Sequence, residues 1–252
     1  MSEIWWSSRG TRLFAFEQGA GRPVVLLHGG LAAHPACRVF GDPLAARYRV
    51  ITPDLRGSGR SHFSGPLDWD LLADDLAELC AHARLRDAVI GGISFGAGVA
   101  VRVALRHPEL VSALLVLHPA YGGTALGLDA AQQAAMRAMD AAGSRAVAEG
   151  IGVLLPLFDP LPPAIRERAR ALVATYDPAS VATSTRFMAA MTQPFDRGED
   201  LAAIRAPCLL VPGVDPFHPP EVAAVYREHV RHCHVIEGDL TDAIAGFLAT
   251  QG

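Results

Sequence analysis

The pentapeptide GISFG at residues 92–96 has the residue types and spacing of a reactive serine. It ends an apolar run, residues 87–94, and opens a helical pattern, residues 95–106. A serine in a tight strand-to-helix turn takes strained backbone angles, and the residues two before and two after it must be small where strand and helix nearly touch. The hydroxyl group then projects beside a helix N-terminus, which stabilises negative charge. We therefore predict that Ser94 is a nucleophile and not an idle serine in a glycine-rich turn.

A second glycine motif and a turn motif lie upstream of this serine. A strand-like run ends in an HGG motif at residues 28–30, where backbone N–H groups can point at a substrate oxygen. Together with the N–H group of Phe95 they would form an oxyanion hole, which stabilises the charge of a tetrahedral intermediate. The segment PDLRGSGRS at residues 53–61 predicts a tight turn, which we expect Asp54 and Arg56 to hold together.

These motifs lie at the ends of strand-like segments, and such segments alternate with helical patterns along most of the chain. This alternation is typical of a mostly parallel, doubly wound α/β sheet with helices on both faces. The first two segments alternate polar and apolar residues, which suits an antiparallel edge. We predict about eight strands, at residues 3–8, 12–17, 23–29, 48–55, 87–94, 112–120, 208–215 and 232–238.

One long segment breaks this alternation. Residues 121–200 contain no strand pattern, only an alanine-rich helical pattern interrupted by prolines. The segment is too long for a connection and too apolar for a linker. We predict an α/β core domain of residues 1–120 and 201–252, with residues 121–200 inserted as a helical cap. Apolar clusters in the cap, among them residues 187–191, predict a cavity over the serine for a small, largely apolar substrate with a carbonyl group.

The composition and the residue spacing of the chain indicate which partners, location and cofactors to expect. The chain has 252 residues, half of them apolar, and a net charge of −4, which argues against a nucleic acid or an acidic membrane as partner. No signal-peptide pattern and no run of about 18 apolar residues is evident, so we expect a cytoplasmic protein. The four cysteines lack CxxC spacing and are expected to be free thiols. The histidines expected at the rim of the sheet belong to different loops, so we expect neither metal nor organic cofactor. Homo-oligomerisation is left open.

The order of the motifs resembles that of the α/β-hydrolase fold superfamily, in its capped, serine-nucleophile form. The resemblance covers nearly the whole chain: the HGG loop, the DLRGSGRS turn, the GISFG nucleophile elbow, the cap, and an Asp after the next-to-last strand. It implies that Ser94 is the nucleophile and that Gly30 and Phe95 donate to the oxyanion. It also implies that Asp215 is the acidic residue of a catalytic triad.

The chain departs from that family at the catalytic histidine, which members place in a loop after the last strand. Here that loop is residues 238–240 and contains no histidine. His218 is the best placed substitute, because it follows Asp215 by three residues and an Asp–His pair can orient an imidazole toward the serine. His34 and His118 are further candidates at the rim of the pocket, although a polar rim or cap contact is the favoured interpretation for both. The absence of any base directed at the serine also stays open.

Three functions fit these residues. The first is cofactor-free hydrolysis of an ester, thioester, lactone or C–C bond next to a carbonyl, in which Ser94 attacks and a histidine accepts its proton. The second is a lyase, cyclase or isomerase, in which His218 or Asp215 moves a proton without an acyl-enzyme. The missing histidine loop keeps this alternative open. The third is a catalytically dead ligand-binding protein, against which the joint presence of the serine, its flanking glycines and Asp215 counts.

Overall fold

The computed structural model describes residues 1–124, 126 and 129–251, and an eight-stranded sheet forms its centre. The strands are β1 (Ser2–Ser8), β2 (Thr11–Gln18), β3 (Pro23–Leu27), β4 (Arg49–Pro53), β5 (Ala88–Ile93), β6 (Val111–Leu117), β7 (Cys208–Val211) and β8 (Cys233–Val235). Their order across the sheet is β1-β2-β4-β3-β5-β6-β7-β8. β2 pairs antiparallel with both of its neighbours, whereas all the later pairs are parallel. The predicted sheet, with its antiparallel edge, is confirmed.

Helices cover both faces of this sheet. The described residues form the α-helices α1 (His34–Gly41), α2 (Trp69–His82), α3 (Phe95–Arg106), α4 (Ala130–Glu149), α5 (Pro163–Val173), α6 (Pro178–Ala189), α7 (Pro220–His229) and α8 (Leu240–Ala249), of which five pack on the sheet. α2, α3 and α7 bury apolar side chains against one face of the sheet, and α1 and α8 do so against the other. Among the described residues, every helix is too short or too polar to cross a lipid bilayer.

The central strands of the sheet are apolar because they are buried on both faces. Residues 24–27 of β3 and residues 88–92 of β5 are fully buried, because helices exclude water from both faces. Parallel strands bring their carboxyl ends to one edge of the sheet. The segments that follow β3, β5, β6 and β7 therefore meet at that edge, and they carry most of the residues singled out above.

Between β6 and β7 the described residues form helices and turns without a strand. α4 and α6 pack against each other in this segment, and a 3-10 helix at Ile151–Phe158 precedes α5. The predicted cap, residues 121–200, includes residues 125, 127 and 128, which lie outside the described residues, as does residue 252 of the predicted core.

The last strand is shorter than its sequence predicts. The apolar pattern predicts a strand over residues 232–238, but β8 pairs with β7 over only three positions, from Cys233 to Val235. β8 is the edge of the sheet and has a single neighbour, and their pairing ends where Val235 lies opposite Leu210, one residue before the end of β7. The chain then turns through Gly238, which has a φ of 121°, into α8.

Candidate active site

Ser94 joins β5 to α3 with backbone angles of φ 56° and ψ −115°. A positive φ is uncommon for a residue with a side chain, and it places the hydroxyl group where neither strand nor helix covers it. The Ser94 N–H donates to the carbonyl oxygen of Leu117 at 3.0 Å, and the Ser94 carbonyl accepts from the N–H of Ala97 at 3.0 Å. These bonds on both sides of the turn fix the unusual conformation. The prediction of a strained turn at Ser94 is confirmed.

The flanking glycines allow α3 to approach the sheet this closely. A Cβ atom at Gly92 would lie 2.4 Å from the carbonyl carbon of Gly96. A Cβ atom at Gly96 would lie 2.5 Å from the carbonyl oxygen of Leu27 in β3. Both contacts are with backbone atoms, which cannot move aside as the end of a flexible side chain can. Any side chain at either position would displace the serine.

His218 connects Ser94 to Asp215. The Nδ1 atom of His218 lies 2.7 Å from Oδ2 of Asp215, and its Nε2 atom lies 2.8 Å from the Ser94 hydroxyl oxygen. A carboxylate only accepts hydrogen bonds, so Nδ1–H donates to Asp215 and the lone pair of Nε2 accepts from the serine hydroxyl. The imidazole is thus held in the one tautomer that can take a proton from Ser94.

A tight turn after β7 places this histidine. The His218 N–H donates to the carbonyl oxygen of Asp215 at 3.0 Å, and the Phe217 N–H donates to Oδ1 of Asp215 at 2.9 Å. The turn passes directly over Gly213, where a Cβ atom would lie 2.2 Å from the Cβ atom of His218. Pro219 and Pro220 then begin α7. The three-residue spacing from Asp215 to His218 is therefore the spacing of one compact turn.

Asp215 is ionised in this arrangement. Its partial burial would raise the pKa of the carboxyl, but the hydrogen bond and charge of His218, with the N–H groups of Phe217 and His218, outweigh this and hold the pKa below its usual value. The Asp215 side chain is 51% exposed, whereas that of His218 is 18% exposed. Water therefore reaches the carboxylate more easily than the imidazole.

The two residues predicted to be oxyanion donors, Gly30 and Phe95, lie close to Ser94. Gly30 follows β3 and Phe95 is the first residue of α3, and both line the same cavity as Ser94. The first N–H groups of a helix have no partner within it, so that of Phe95 can point at a ligand. A Cβ atom on the neighbouring Gly29 would lie 3.6 Å from the Ser94 Cβ atom, so the two loops are in contact.

The cavity over Ser94 has a volume of about 270 Å³ and is mostly apolar. Its lining residues are Gly30, Ser94, Phe95, Ala120, Tyr121, Met136, Met139, Met188, Met191, Gln193, Phe217 and His218. The sequence indicated Met188 and Met191 but missed Met136 and Met139 of α4. Their three-residue spacing puts both on one helix face, which is a signal that sequence reasoning could have used.

The two other rim candidates, His118 and His34, make different contacts. His118 has a φ of 42°, and its ring centre lies 6.2 Å from that of His218. Burial lowers the pKa of His118, and the neighbouring His218 lowers it further. His34 contacts Asp54: its Nδ1 atom, at the start of α1, lies 2.9 Å from Oδ1 of that residue. Within the described part of the chain, neither histidine lines the cavity.

Three further features of the described residues are the possible metal ligands, the cysteines and a second cleft. Within residues 1–124, 126 and 129–251, no three His, Cys, Asp or Glu side chains are grouped so as to hold a metal ion. The cysteines are free thiols, as predicted. A wider cleft of about 680 Å³ beside Trp69 has several carboxylates in its wall, but neither Ser94 nor His218 borders it.

Comparison with known proteins agrees with this fold. Residues 22–152 match the family model of the alpha/beta hydrolase fold. A thermophilic esterase from Thermogutta terrifontis superposes with a TM-score of 0.81 at 24% identity, covering 100% of this chain and 99% of the esterase. At that identity the likeness concerns the fold alone.

Two curated relatives match parts of the chain. A 2-hydroxymuconate semialdehyde hydrolase of Pseudomonas sp. strain CF600 is 33% identical over 113 residues, which are 43% of this chain and 40% of the relative. A probable proline iminopeptidase of Streptomyces coelicolor is 36% identical over 116 residues, which are 42% of this chain and 35% of the relative. The matches thus span about two-fifths of the length of these relatives.

Proposed function

Because this chain belongs to the α/β-hydrolase fold family, we propose that it hydrolyses an ester, thioester, lactone or C–C bond next to a carbonyl, with Ser94 as nucleophile. The names of the relatives, a semialdehyde hydrolase and an iminopeptidase, support hydrolysis in general and not one substrate. In this proposal α4 to α6 act as the cap, since α4 and α6 supply apolar side chains to the cavity.

His218 is the general base and acid of the proposed reaction. As the Ser94 oxygen attacks the substrate carbonyl carbon, its proton moves to Nε2 of His218 across the 2.8 Å hydrogen bond. The resulting imidazolium is stabilised by the Asp215 carboxylate, which also keeps the ring oriented. His218 then returns the proton to the leaving group, which departs and leaves an acyl-enzyme.

In this proposal the oxyanion of the tetrahedral intermediate is stabilised by the N–H groups of Gly30 and Phe95, two residues that line the cavity. Fixed donors in an apolar cavity cost no reorganisation during the reaction, and one such donor contributes about 100–1,000-fold in rate. Water then enters, and His218 takes its proton in turn. Attack of this water on the acyl-enzyme releases the acid and restores Ser94.

The observation that carries the proposal is the continuous hydrogen-bonded chain from Ser94 through His218 to Asp215. A fluorophosphonate probe, which phosphonylates an activated serine, tests it directly. We expect intact-mass labelling of one site in the native protein and none in Ser94→Ala. His218→Ala should label far more slowly, because its serine has no base.

The same experiment separates hydrolysis from proton-transfer chemistry in this pocket. If the chain were a lyase, cyclase or isomerase, the serine would only bind a carbonyl oxygen. Ser94→Ala would then cost about 10–100-fold on the true substrate, the effect of one lost hydrogen bond to a developing charge. Turnover of that size in Ser94→Ala, with no covalent adduct in the native protein, would overturn the proposal.

A further inference from the structure

All the methionines of the chain beyond the first residue lie at one place. The sequence contains five methionines, and the four other than Met1 all line the cavity over Ser94. Met136 and Met139 come from α4, Met188 comes from α6, and Met191 lies just after α6. Two helices and a turn therefore supply the same side chain to one wall, which we call the methionine wall.

Met188 places the methionine wall beside the proposed oxyanion donors. It is 8% exposed, and a Cβ atom at Gly30 would lie 2.5 Å from its sulfur. Phe217, which precedes His218 and also lines the cavity, is 41% exposed. A leaving group takes its proton from His218 and must depart toward solvent, so the exposed part of the lining at Phe217 suits the leaving group. The buried part at Met188 therefore suits the acyl group, which stays attached to Ser94.

The wall offers apolar and adaptable contacts. Methionine is unbranched, has three rotatable side-chain bonds and a polarisable sulfur, and so follows the shape of flexible ligands. The one amide in the lining is occupied, because Gln193 accepts from the Gly123 N–H at 3.2 Å and donates to the Met191 carbonyl oxygen at 3.2 Å. The described lining residues include no Asp, Glu, Lys or Arg that could pair with an ammonium or a carboxylate group on an acyl chain.

We infer that the methionine wall is a deformable acyl-binding site, and that the substrates are esters or thioesters of uncharged, flexible acids of about four to eight carbons. The inference rests on the proposed function. A cavity of about 270 Å³ holds roughly nine groups of the size of a water molecule, at about 30 Å³ each. That volume sets the upper limit on chain length.

The first test is a series of p-nitrophenyl esters from acetate to dodecanoate with the native protein. We expect kcat/KM to rise about three- to fourfold per methylene as each is buried, and to fall beyond octanoate. A second series of acetate esters, with alcohols of increasing length, should show much less dependence. A flat acyl series, or length dependence confined to the alcohol series, would overturn the inference.

The second test fills the cavity from α4. In Met139→Trp we expect the ratio of octanoate to acetate kcat/KM to fall at least about tenfold, because an indole removes most of the added volume. Ala138→Trp is the matched control, since Ala138 is the exposed neighbour on the same helix and does not line the cavity. It should leave the ratio unchanged. If Met139→Trp does not fold, Met191→Phe is measured with the same ratio.

The third test uses the sulfur atoms. Hydrogen peroxide transfers one oxygen to a thioether, giving a sulfoxide and water, and so makes the wall polar. After mild oxidation, with the sites mapped by peptide mass, octanoate hydrolysis should fall several-fold more than acetate hydrolysis. Equal losses on the two esters would contradict the inference. Fluorophosphonate labelling separates the failures: an unlabelled Ser94 removes the proposed function, whereas a labelled Ser94 without these preferences removes only the acyl-binding site.

Discussion

Two aspartate–histidine pairs in this molecule have similar geometry and different surroundings. Nδ1 of His218 lies 2.7 Å from Asp215, and Nδ1 of His34 lies 2.9 Å from Asp54. The Asp215 side chain is half exposed, whereas that of Asp54 is fully buried. The second imidazole nitrogen of His218 reaches the serine hydroxyl, while the ring of His34 packs against Phe14 and Phe16.

The two pairs differ in the partners of the carboxylate and of the second imidazole nitrogen, and these partners decide which pair can act as a base. Asp54 also accepts hydrogen bonds from the N–H groups of His34 and Arg60, so its carboxylate joins the loop after β3 to the turn after β4. Among the residues that the structure describes, those that donate to the Asp215 carboxylate belong to its own turn. The first carboxylate therefore holds two loops together, and the second aims one ring. Such a pair can act as a base when the second imidazole nitrogen contacts a group to deprotonate. The contact between the aspartate and the histidine is not sufficient by itself.

The largest difference between the two pairs should appear in kcat when each histidine is replaced by alanine. We expect His218→Ala to lower kcat by about 1,000-fold or more, because Ser94 loses its base, while His34→Ala stays within about tenfold of the native protein. Both are measured on one p-nitrophenyl ester, with circular dichroism to confirm folding. The double variant Ser94→Ala/His218→Ala should be hardly slower than either single variant. Equal losses in His218→Ala and His34→Ala would refute the assignment of roles.

Removing the charge of Asp215 should have a smaller effect. Asp215→Asn keeps the size of the side chain but no longer stabilises the imidazolium or enforces the tautomer of His218. The position is half exposed and water can partly replace the carboxylate, so we expect kcat to fall about 10–1,000-fold. The pH–rate profile should change with it, since His218 loses its anionic partner. An unchanged profile would mean that Asp215 does not act through His218.

A smaller loss still should follow from misplacing His218. A Cβ atom at Gly213 would lie 2.2 Å from that of His218, so Gly213→Ala must push the imidazole away from Ser94. A displacement of about 1 Å can cost about 100-fold, and we expect a fall in kcat of about 10–100-fold with little change in melting temperature. Gly246→Ala in α8 is the control, because a Cβ atom there meets nothing within 4 Å. Full activity in Gly213→Ala would contradict the importance of this contact.

Much of the sheet and of the serine turn could be predicted from the sequence, because both rest on short-range patterns. Continuous apolar runs indicate strands covered on both faces, and the glycines at 92 and 96 mark a close approach that the structure contains. The short β8 was not predictable, since pairing with β7 limits it and its own residues do not. Strand ends set by a neighbour carry no local signal.

The histidines show where prediction from sequence stops. His218 was favoured because three residues separate it from Asp215, and this spacing can be read directly. The partners of His34 cannot be read in the same way, because they are Asp54, twenty residues away, and aromatic rings of β2. The far side of the cavity depends on how α4 packs against α6, which no local pattern fixes. Contacts between distant segments therefore decide which polar residues reach the site.

Replacing Asp54 should have the smallest effect on turnover and the clearest effect on stability. Burial would raise the pKa of this carboxyl, but the hydrogen bond and charge of His34, the charge of His28 and the N–H of Arg60 outweigh it, so the pKa is lowered. A lowered pKa in the folded state stabilises the protein at pH values above the unfolded pKa of about 4, and this contribution is lost as the pH falls toward the folded value.

Asp54→Asn should therefore lower the free energy of unfolding at pH 7 by about 1.5–3 kcal/mol, the range for hydrogen bonds to a charged group, and change kcat by only a few-fold. Urea titrations from pH 7 to pH 3 should show the native protein losing stability below about pH 4, and the gap to the variant narrowing as Asp54 becomes protonated. Asp215→Asn is the matched control, and its half-exposed carboxyl should give a smaller gap at pH 7. If Asp54→Asn abolished turnover without a stability change, Asp54 would belong to the chemistry, and the distinction between the two pairs would fail.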